Sequence, residues 1–531
     1  MNQSTLLIDD KIFNYFPQRG SDDRLDCVKL LYRALSTHPN RVAIAEDDRT
    51  WTTAQLNQLV TARQQWLKAQ GLRQGDRVAV MLGNSVEHIA LLYALVLDGM
   101  VWVPINTKVK GAGLEYVLGH CKPALVIAAP EHIGLFTPEI AGNIRVIALT
   151  RGITTAGAAL RYAECEPGDT LCLIYTSGTT GAPKAVQFTH RMMRIASETA
   201  LMVAAARDGD RLFLWEPLCH IGGAQMILAP FLIDVSLHVV AGFSASRFWS
   251  QINSAGATHL HYIGGILEIL LRSEQSKSPK NTLRVAWGGG LSGQSWKAVS
   301  DFLGIELREC YGMTECSSFA TMNAAGRPGS VGTPLPWLRL ELLDDDGNPV
   351  AAREHGEIVL RSEVDGTFLS GYLDNPEATA KALRGDRFHT GDYAWQDEEG
   401  FIYFVGRRTE SMRVRGENVS AWEVERVFAQ HPAVAMTGAI GVNSEIGEQE
   451  ILIYVKPADG TSFDLAVFAS ELSTWAAERL ANFQVPRYFK LIDQFELTPS
   501  ERIRKHLLSK DLIGAWDRTK PGIVTTVAAE V

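Results

Sequence analysis

The sequence predicts an α/β protein of more than one domain, with its larger part doubly wound. Three observations predict it. Short apolar runs alternate with helix-length segments across residues 77–287, glycine and proline punctuation tightens after Gly329, and short α and β elements follow Gly406. The length agrees, since 531 residues exceed what one hydrophobic core serves. Hydrophobic residues at 46% and charged residues at 21% give ample core material for an ordinary globular chain.

Residues 77–82 read as a buried strand, and Gly83 and Asn84 then turn the chain into a helix that runs to about Asp98. Gly99 stops that helix before a second strand at 101–104, which makes a βαβ unit. Asn84 with Glu87 three residues later reads as its capping box. Strand-like runs recur at 124–129, 171–175, 258–262 and 284–287. Beyond Gly329, the turn residues Gly332, Pro334, Pro336, Gly347 and Gly356 separate short strands, the mark of a small β-rich subdomain. A second capping box, Ser420 with Glu423, opens a helix carrying Val424 to Ala429. The domain boundary falls between Gly406 and Ser411, giving domains of residues 1–407 and 408–531.

Charge and cysteine usage narrow the class. A net charge of −9 argues against a nucleic-acid partner, which calls for a basic face. The seven cysteines include no CxxC pair and no zinc-like spacing, so reduced thiols are expected. The opening residues MNQSTLLIDDKIFNYF lack a basic leader and a long apolar run, and a cytoplasmic protein is expected. Apolar stretches such as 89–97 are too short to cross a bilayer, so no transmembrane segment is expected.

The most informative stretch is Tyr175-Thr176-Ser177-Gly178-Thr179-Thr180-Gly181-Ala182-Pro183-Lys184. A strand end runs into glycines that let backbone amides turn toward an anion, with hydroxyls on Ser177, Thr179 and Thr180 and one ammonium on Lys184. It reads as a phosphate cradle. Its spacing is not the GxxxxGK nucleotide loop. Later come Trp287-Gly288-Gly289-Gly290, Tyr311-Gly312-Met313-Thr314-Glu315 and Thr390-Gly391-Asp392. Taken alone, the glycine run is a turn after a strand and Glu315 a surface carboxylate. In this order the motifs resemble the adenylate-forming (AMP-binding) superfamily of acyl-CoA synthetases, luciferases and peptide-synthetase adenylation domains. Segment 101–129 and the run HLHYIGGILEILL look most like the crotonobetaine and carnitine CoA ligase branch.

The resemblance implies a large N-terminal domain of two doubly wound α/β subdomains with a small β-barrel-like subdomain, and a small mobile α+β C-terminal domain. It implies ATP, magnesium and CoA as cofactors and a carboxylic acid as substrate. Thr176, Ser177, Gly178, Thr179, Thr180, Gly181 and Lys184 would bind phosphate. Gly288, Gly289 and Gly290 would border the adenine and the acyl pocket, Tyr311 would stack on adenine, and Gly312 and Met313 belong to the same segment. Thr314 would contact the α-phosphate, and Glu315 would hold magnesium, a hard cation suited to a carboxylate. Asp392 would bind the ribose, its carboxylate accepting from two hydroxyls, with Arg407 beside it. Gly416 would flank the pantetheine channel, and His220, in Pro217-Leu218-Cys219-His220-Ile221-Gly222-Gly223, would gate the thiol tunnel. Gly264, Gly265 and Gly288 would leave space in the acyl pocket, which Tyr262 and Trp287 either fill or line with a ring face for a quaternary ammonium.

Two positions depart from the family's pattern. The hinge residue, usually aspartate or lysine, is Glu410. Where the family reads TPTGK the chain reads Thr498-Pro499-Ser500-Glu501-Arg502, so the catalytic lysine aligns with Arg502, with Lys505 about a turn away. Arginine keeps the charge with a forked geometry and a different reach. The expected activity is ATP-dependent ligation of an acid to CoA through an acyl-adenylate. The alternatives are an ATP-binding protein with little ligase activity, or an adenylating enzyme serving another acceptor such as a carrier protein. An amino-acid adenylation domain would place an aspartate near the gate, and PLCHIGG has none.

Overall fold

A computed structural model describes residues 26–149, 152, 158–176, 183–273, 282–291, 293–407, 411–414, 417–443, 449–458, 464–480, 482–497 and 503–521. The chain divides into two compact units. One holds residues 1–176, 184–339 and 361–388, and the other residues 177–183, 340–360 and 389–531.

The first unit is built on strands β1 (Val42–Glu46), β2 (Arg49–Thr52), β3 (Arg77–Met81), β4 (Val101–Pro104), β5 (Leu125–Ala128), β6 (Val146–Ala148), β7 (Thr170–Thr176), β8 (Lys184–Thr189), β9 (Arg211–Leu214), β10 (Ser236–Val239), β11 (His259–Ile263), β12 (Val285–Gly289) and β13 (Glu306–Glu309). Six of them form a sheet ordered β6-β5-β3-β4-β7-β8, parallel throughout except for the antiparallel pair β7 and β8. Seven form a sheet ordered β13-β12-β11-β9-β10-β1-β2, parallel except at β1 and β2. These are the two doubly wound sheets the α/β alternation predicts. The strands are short and apolar because helices cover both faces of such sheets.

The expected βαβ unit is present, with Arg77 opposite Val101 in parallel register. The helix between, Val86–Leu97, buries every residue except Glu87, which suits a sequence apolar all round. Its cap corrects the sequence reading. Ser85, not Asn84, is the N-cap, accepting from the His88 backbone N–H at 3.2 Å. Glu87 leaves the capping role to receive the buried Arg63 guanidinium at 2.5 Å.

In the second unit, parts of strands Leu338–Leu343, Gly356–Ser362 and Arg387–Gln396 lie in order in one sheet, and Ile402–Arg407 pairs antiparallel with the last. This is the β-rich segment foreseen after Gly329. Further along, Val434–Asn443, Gln449–Pro457, Tyr488–Leu491 and Trp516–Asp517 form a four-stranded sheet. Helices Ala421–Ala429 and Leu465–Ala477 share its core through Val424, Phe428, Phe468 and Leu472, against Ile451, Ile453 and Phe489. The side chains of the second capping box, Ser420 and Glu423, lie outside the described residues. No helix among the described residues is long and apolar enough to cross a membrane.

Two histidines in the first unit make its stability depend on pH. His88 lies edge-on to Trp102, its Nδ1 3.2 Å from the Gly83 carbonyl, and His190 opens the helix His190–Val203. Burial pushes both rings down to about 4 from the ordinary 6.5. Each ring is therefore neutral when folded, while the unfolded chain takes up a proton below about 6.5. Stability is full above that pH and falls toward about 4. Urea unfolding should show a loss on the order of 2 kcal/mol per ring by about pH 5, and His88→Gln should remove its share. A midpoint unchanged between about pH 7 and pH 5 would contradict this.

Candidate active site

In the two sheets the carboxyl ends of β7, β9, β11, β12 and β13 lead into the segments that carry the motifs, and those of β3 and β4 lead to Asn84 and Asn106. Carboxyl ends of parallel strands are where open α/β sheets bind ligands. Two buried or half-buried asparagines join the sheets there. Asn84, just past β3, donates from Nδ2 to the Glu216 carbonyl at 2.7 Å and accepts from the Leu218 N–H at 3.1 Å. Asn106, just past β4, meets His220 Nε2 at 3.2 Å. The gate segment after β9 is thereby pinned on both sides. It also turns tightly, since a Cβ on Gly223 would lie 2.5 Å from the Pro217 carbonyl oxygen.

The phosphate loop closes an antiparallel pair. Thr176 at the end of β7 stands opposite Lys184 at the start of β8, and the Thr176 hydroxyl donates to the Lys184 carbonyl at 3.3 Å. Ser177, Gly178, Thr179, Thr180 and Gly181 lie outside the described residues. The Lys184 ammonium sits 4.4 Å above the centre of the Tyr372 ring, a cation–π contact. The Tyr372 hydroxyl donates to Glu315 Oε1 at 2.9 Å. A chain of three groups, ammonium, phenol and carboxylate, thus links the phosphate loop to the YGMTE motif. Tyr372 is placed by backbone bonds of residues 371–373 along β8, Gln187 N–H to Gly371 at 3.0 Å and Leu373 N–H to Ala185 at 2.9 Å. Sequence reasoning missed Tyr372. Its signal, a tyrosine after a serine and glycine, is too common to single out.

Gly312–Met313 pairs with Ser318–Phe319, and Thr314–Cys316 forms a single 3-10 turn between them. The turn is tight. A Cβ on Gly312 would fall 1.8 Å from the Ser318 carbonyl oxygen, and Ser317 and Ser318 hold φ of 57° and 81°, a left-handed region costly for serine. Their hydroxyls secure it by donating to the Thr367 carbonyl and to Gln225 Oε1, each at 2.5 Å. Tyr311, Thr314 and Glu315 are buried. The buried Glu315 carboxylate is a hard oxygen donor of the kind that suits magnesium.

Gly288 and Gly289 end β12, and Gly290 follows with φ of 92°. The space the sequence reading assigned to an acyl pocket beside two glycines is filled by backbone. A Cβ on Gly288 would lie 1.9 Å from the Tyr262 carbonyl oxygen, and one on Gly264 would lie 2.0 Å from that of Gly290. Close packing of β11 against β12 therefore demands glycine at both positions. The surroundings of Gly265 lie outside the described residues. Tyr262 and Trp287 are fully buried. The Tyr262 hydroxyl donates to Glu309 Oε2 at 2.5 Å, and Leu291 N–H donates to Glu309 Oε1 at 2.9 Å. Both rings are packing, and the Glu309 carboxylate ties the ends of β11, β12 and β13.

In the second unit Asp392 is 5% exposed and stands opposite Arg407 in the strand pair. Thr390 positions it, donating to the Ile358 carbonyl at 2.8 Å while accepting from the Asp392 N–H at 3.1 Å. Glu410, Gly416 and Arg502 lie outside the described residues. Lys505 is engaged by Glu425 at 2.9 Å, and that carboxylate also accepts from the Ala439 N–H at 2.6 Å.

A pair of α/β sheets with a lysine closing the loop after β7 and a turn that buries Tyr311, Thr314 and Glu315 fits a nucleotide-binding enzyme. The sequence pattern of AMP-binding enzymes matches residues 31–373, and that of the AMP-binding enzyme C-terminal domain matches residues 423–502. The chain belongs to the AMP-binding enzymes. It is similar to a 2-succinylbenzoate–CoA ligase of Geobacillus sp. strain WCH70, 29% identical over 91% of this chain and 96% of that protein. It is also similar to a crotonobetaine/carnitine–CoA ligase of Escherichia coli strain UTI89, 30% identical over 85% and 92%. Among solved structures, o-succinylbenzoate CoA synthetase of Bacillus subtilis with its acyl-adenylate OSB-AMP gives a TM-score of 0.81 at 25% identity, covering 90% and 97%. The anthranilate CoA ligase AuaEII with anthranoyl-AMP gives 0.81 at 26%, covering 90% and 96%.

Substitutions at the start of the Val86–Leu97 helix test the reassigned roles. Ser85→Ala should cost about 1 kcal/mol, an ordinary cap loss, and leave activity intact. Asn84→Ala should cost about 2 to 4 kcal/mol, because two buried backbone groups lose their partner, and should lower activity through the gate segment. Thermal unfolding with parallel assays separates the two, and equal effects would refute the assignment.

Proposed function

We propose that this chain is an ATP-dependent acid–CoA ligase. The observation that carries the reading is the Lys184–Tyr372–Glu315 chain, which sets a cation and a carboxylate on either side of one tyrosine at the loop after β7 of an AMP-binding fold. Solved structures of similar fold hold acyl-adenylates.

The reaction has two halves. A carboxylate oxygen of the acid attacks the α-phosphorus of ATP, the bond to the β-phosphate oxygen breaks, and pyrophosphate leaves. The CoA sulfur then attacks the acyl carbon, the carbon–oxygen bond to phosphate breaks, AMP leaves and the thiol proton goes to solvent. Neither half demands strong acid or base chemistry, so positioning and charge dominate. Lys184 neutralises phosphate charge, the Thr314 hydroxyl orients the α-phosphate, and Thr176 with Ser177 to Gly181 supply donors. Magnesium held by Glu315 would neutralise charge on the phosphates. Tyr311 and Gly288 to Gly290 border the adenine with Gly312 and Met313, and Asp392 with Arg407 takes the ribose hydroxyls. His220, fixed by Asn106, gates the thiol path, and Gly416 flanks it. Arg502 replaces the usual lysine as the cation on the substrate carboxylate, while Lys505 is held by Glu425. We assign the large and small domains to residues 1–407 and 408–531 and place the enzyme in the cytoplasm.

CoA-dependent AMP release from ATP and magnesium, across a panel of carboxylic acids, tests this. Lys184→Ala and Glu315→Gln should each lower the first half-reaction by about a hundredfold or more. Arg502→Ala should do likewise while Arg502→Lys retains activity. ATP binding without pyrophosphate release for any acid would favour a nucleotide-binding protein instead.

A further inference from the structure

Glu216 and His261 form a buried polar pair that no step above uses. Glu216 follows β9 in the gate segment, and His261 lies on β11. They are 4% and 8% exposed. His261 Nδ1 stands 3.1 Å from Glu216 Oε1, near enough for an ion pair but without hydrogen-bond alignment. Among the described residues, neither ring nitrogen of His261 nor Glu216 Oε1 makes a hydrogen bond. Leaving buried donors and acceptors unmatched is costly, and such groups call for an explanation.

Their surroundings are those of the motifs. The His261 ring lies 5.3 Å from Trp287, which precedes the glycine run, and 5.8 Å from Phe319, which pairs with Gly312 of YGMTE. A Cβ on Gly222 would fall 1.6 Å from Glu216 Oε2, so glycine there makes room for the carboxylate. Trp215 Nε1 donates to the His261 carbonyl at 2.7 Å and fixes the strand end. The pair is therefore built, and it stands where the gate segment, β11 and the YGMTE turn meet.

We infer that Glu216 and His261 are the polar end of the acyl pocket and select carboxylic acids whose tails carry a hydrogen-bond donor or cation. This rests on the ligase reading. A hydroxyl, amino or ammonium group would meet the Glu216 carboxylate, with His261 completing the polar surface. A plain hydrocarbon tail would leave both groups buried and unmatched, and a second carboxylate would meet like charge. Sites built to hydrogen-bond a substrate group reject analogues lacking it more strongly than apolar pockets reject an added group.

The test uses shape-matched acids: benzoate, anthranilate, hydroxybenzoate and phthalate, and pentanoate, hydroxybutanoate, aminobutanoate and glutarate. AMP release and stabilisation against heat in the presence of AMP are both measured, so binding is read even without turnover. In one series or the other, the donor-bearing acid should exceed its hydrocarbon match in kcat/KM by about tenfold to a hundredfold. Glu216→Gln should shrink that preference at least about tenfold, read as a change in KM for the donor-bearing acid. His261→Asn serves as the second variant. Turnover and heat stabilisation alike for matched acids, or a preference untouched by both variants, would overturn the inference while leaving the ligase intact. Heat stabilisation that follows the donor without any AMP release would uphold the pocket and overturn the ligase reading. No AMP release and no heat stabilisation by any acid would overturn both.

Discussion

One buried amide, that of Asn84, holds the first unit's two sheets in register at their carboxyl ends. Its two hydrogen bonds reach backbone on either side of Pro217, so they fix a path rather than a side chain. Everything placed by that path depends on them: the tight turn at Gly223, the ring of His220 against Asn106, and the carboxylate of Glu216 over Gly222. A buried amide is suited to the task because it donates and accepts at once, and both roles are filled here. The neighbouring serine supplies the helix cap, which frees Asn84 for the long-range contact.

The fold was largely legible because its signals are local. Period and punctuation located β3, β4, β5, β7, β11 and β12 to within a residue or two, since buried parallel strands are short apolar runs ended by glycine or polar turns. The capping box at Asn84 failed for an instructive reason. Asn and Ser are both good caps, and the sequence spacing cannot say which of two adjacent candidates is diverted to a partner 132 residues away. The motifs of the candidate site stood out because each is a contiguous run. Tyr372 did not, because it reaches Lys184 and Glu315 only through the pairing of 371–373 with β8. The glycines at 264 and 288 carried a signal that composition alone misassigned, as the same residue type serves ligand approach and strand packing.

The charges of the phosphate site are set out in a line, not a cluster. Tyr372 offers its ring face to the Lys184 ammonium and its hydroxyl to Glu315, so one side chain orders a cation and an anion without letting them collapse into a salt bridge. A direct ion pair would spend both charges on each other. In the ligase proposed above, the arrangement through Tyr372 would let the ammonium meet phosphate and the carboxylate meet magnesium. The strained serines at 317 and 318 fit the same logic, since hydroxyl bonds to Thr367 and Gln225 hold a turn that the backbone alone disfavours.

Two buried glutamates near the glycine run behave in opposite ways. Glu309 is anchored by Tyr262 and by the Leu291 amide, binding three strand ends into a frame, whereas among the described residues Glu216 Oε1 makes no hydrogen bond. On the reading proposed above, scaffold and selectivity fall to different carboxylates, one on β13 and one in the segment after β9. A lineage could exchange residue 216 and its histidine for other chemistries while the frame around Glu309 stayed whole. Diversification of this chain's relatives onto new acids would then proceed by exchange at replaceable positions, without passing through unfolded ancestors.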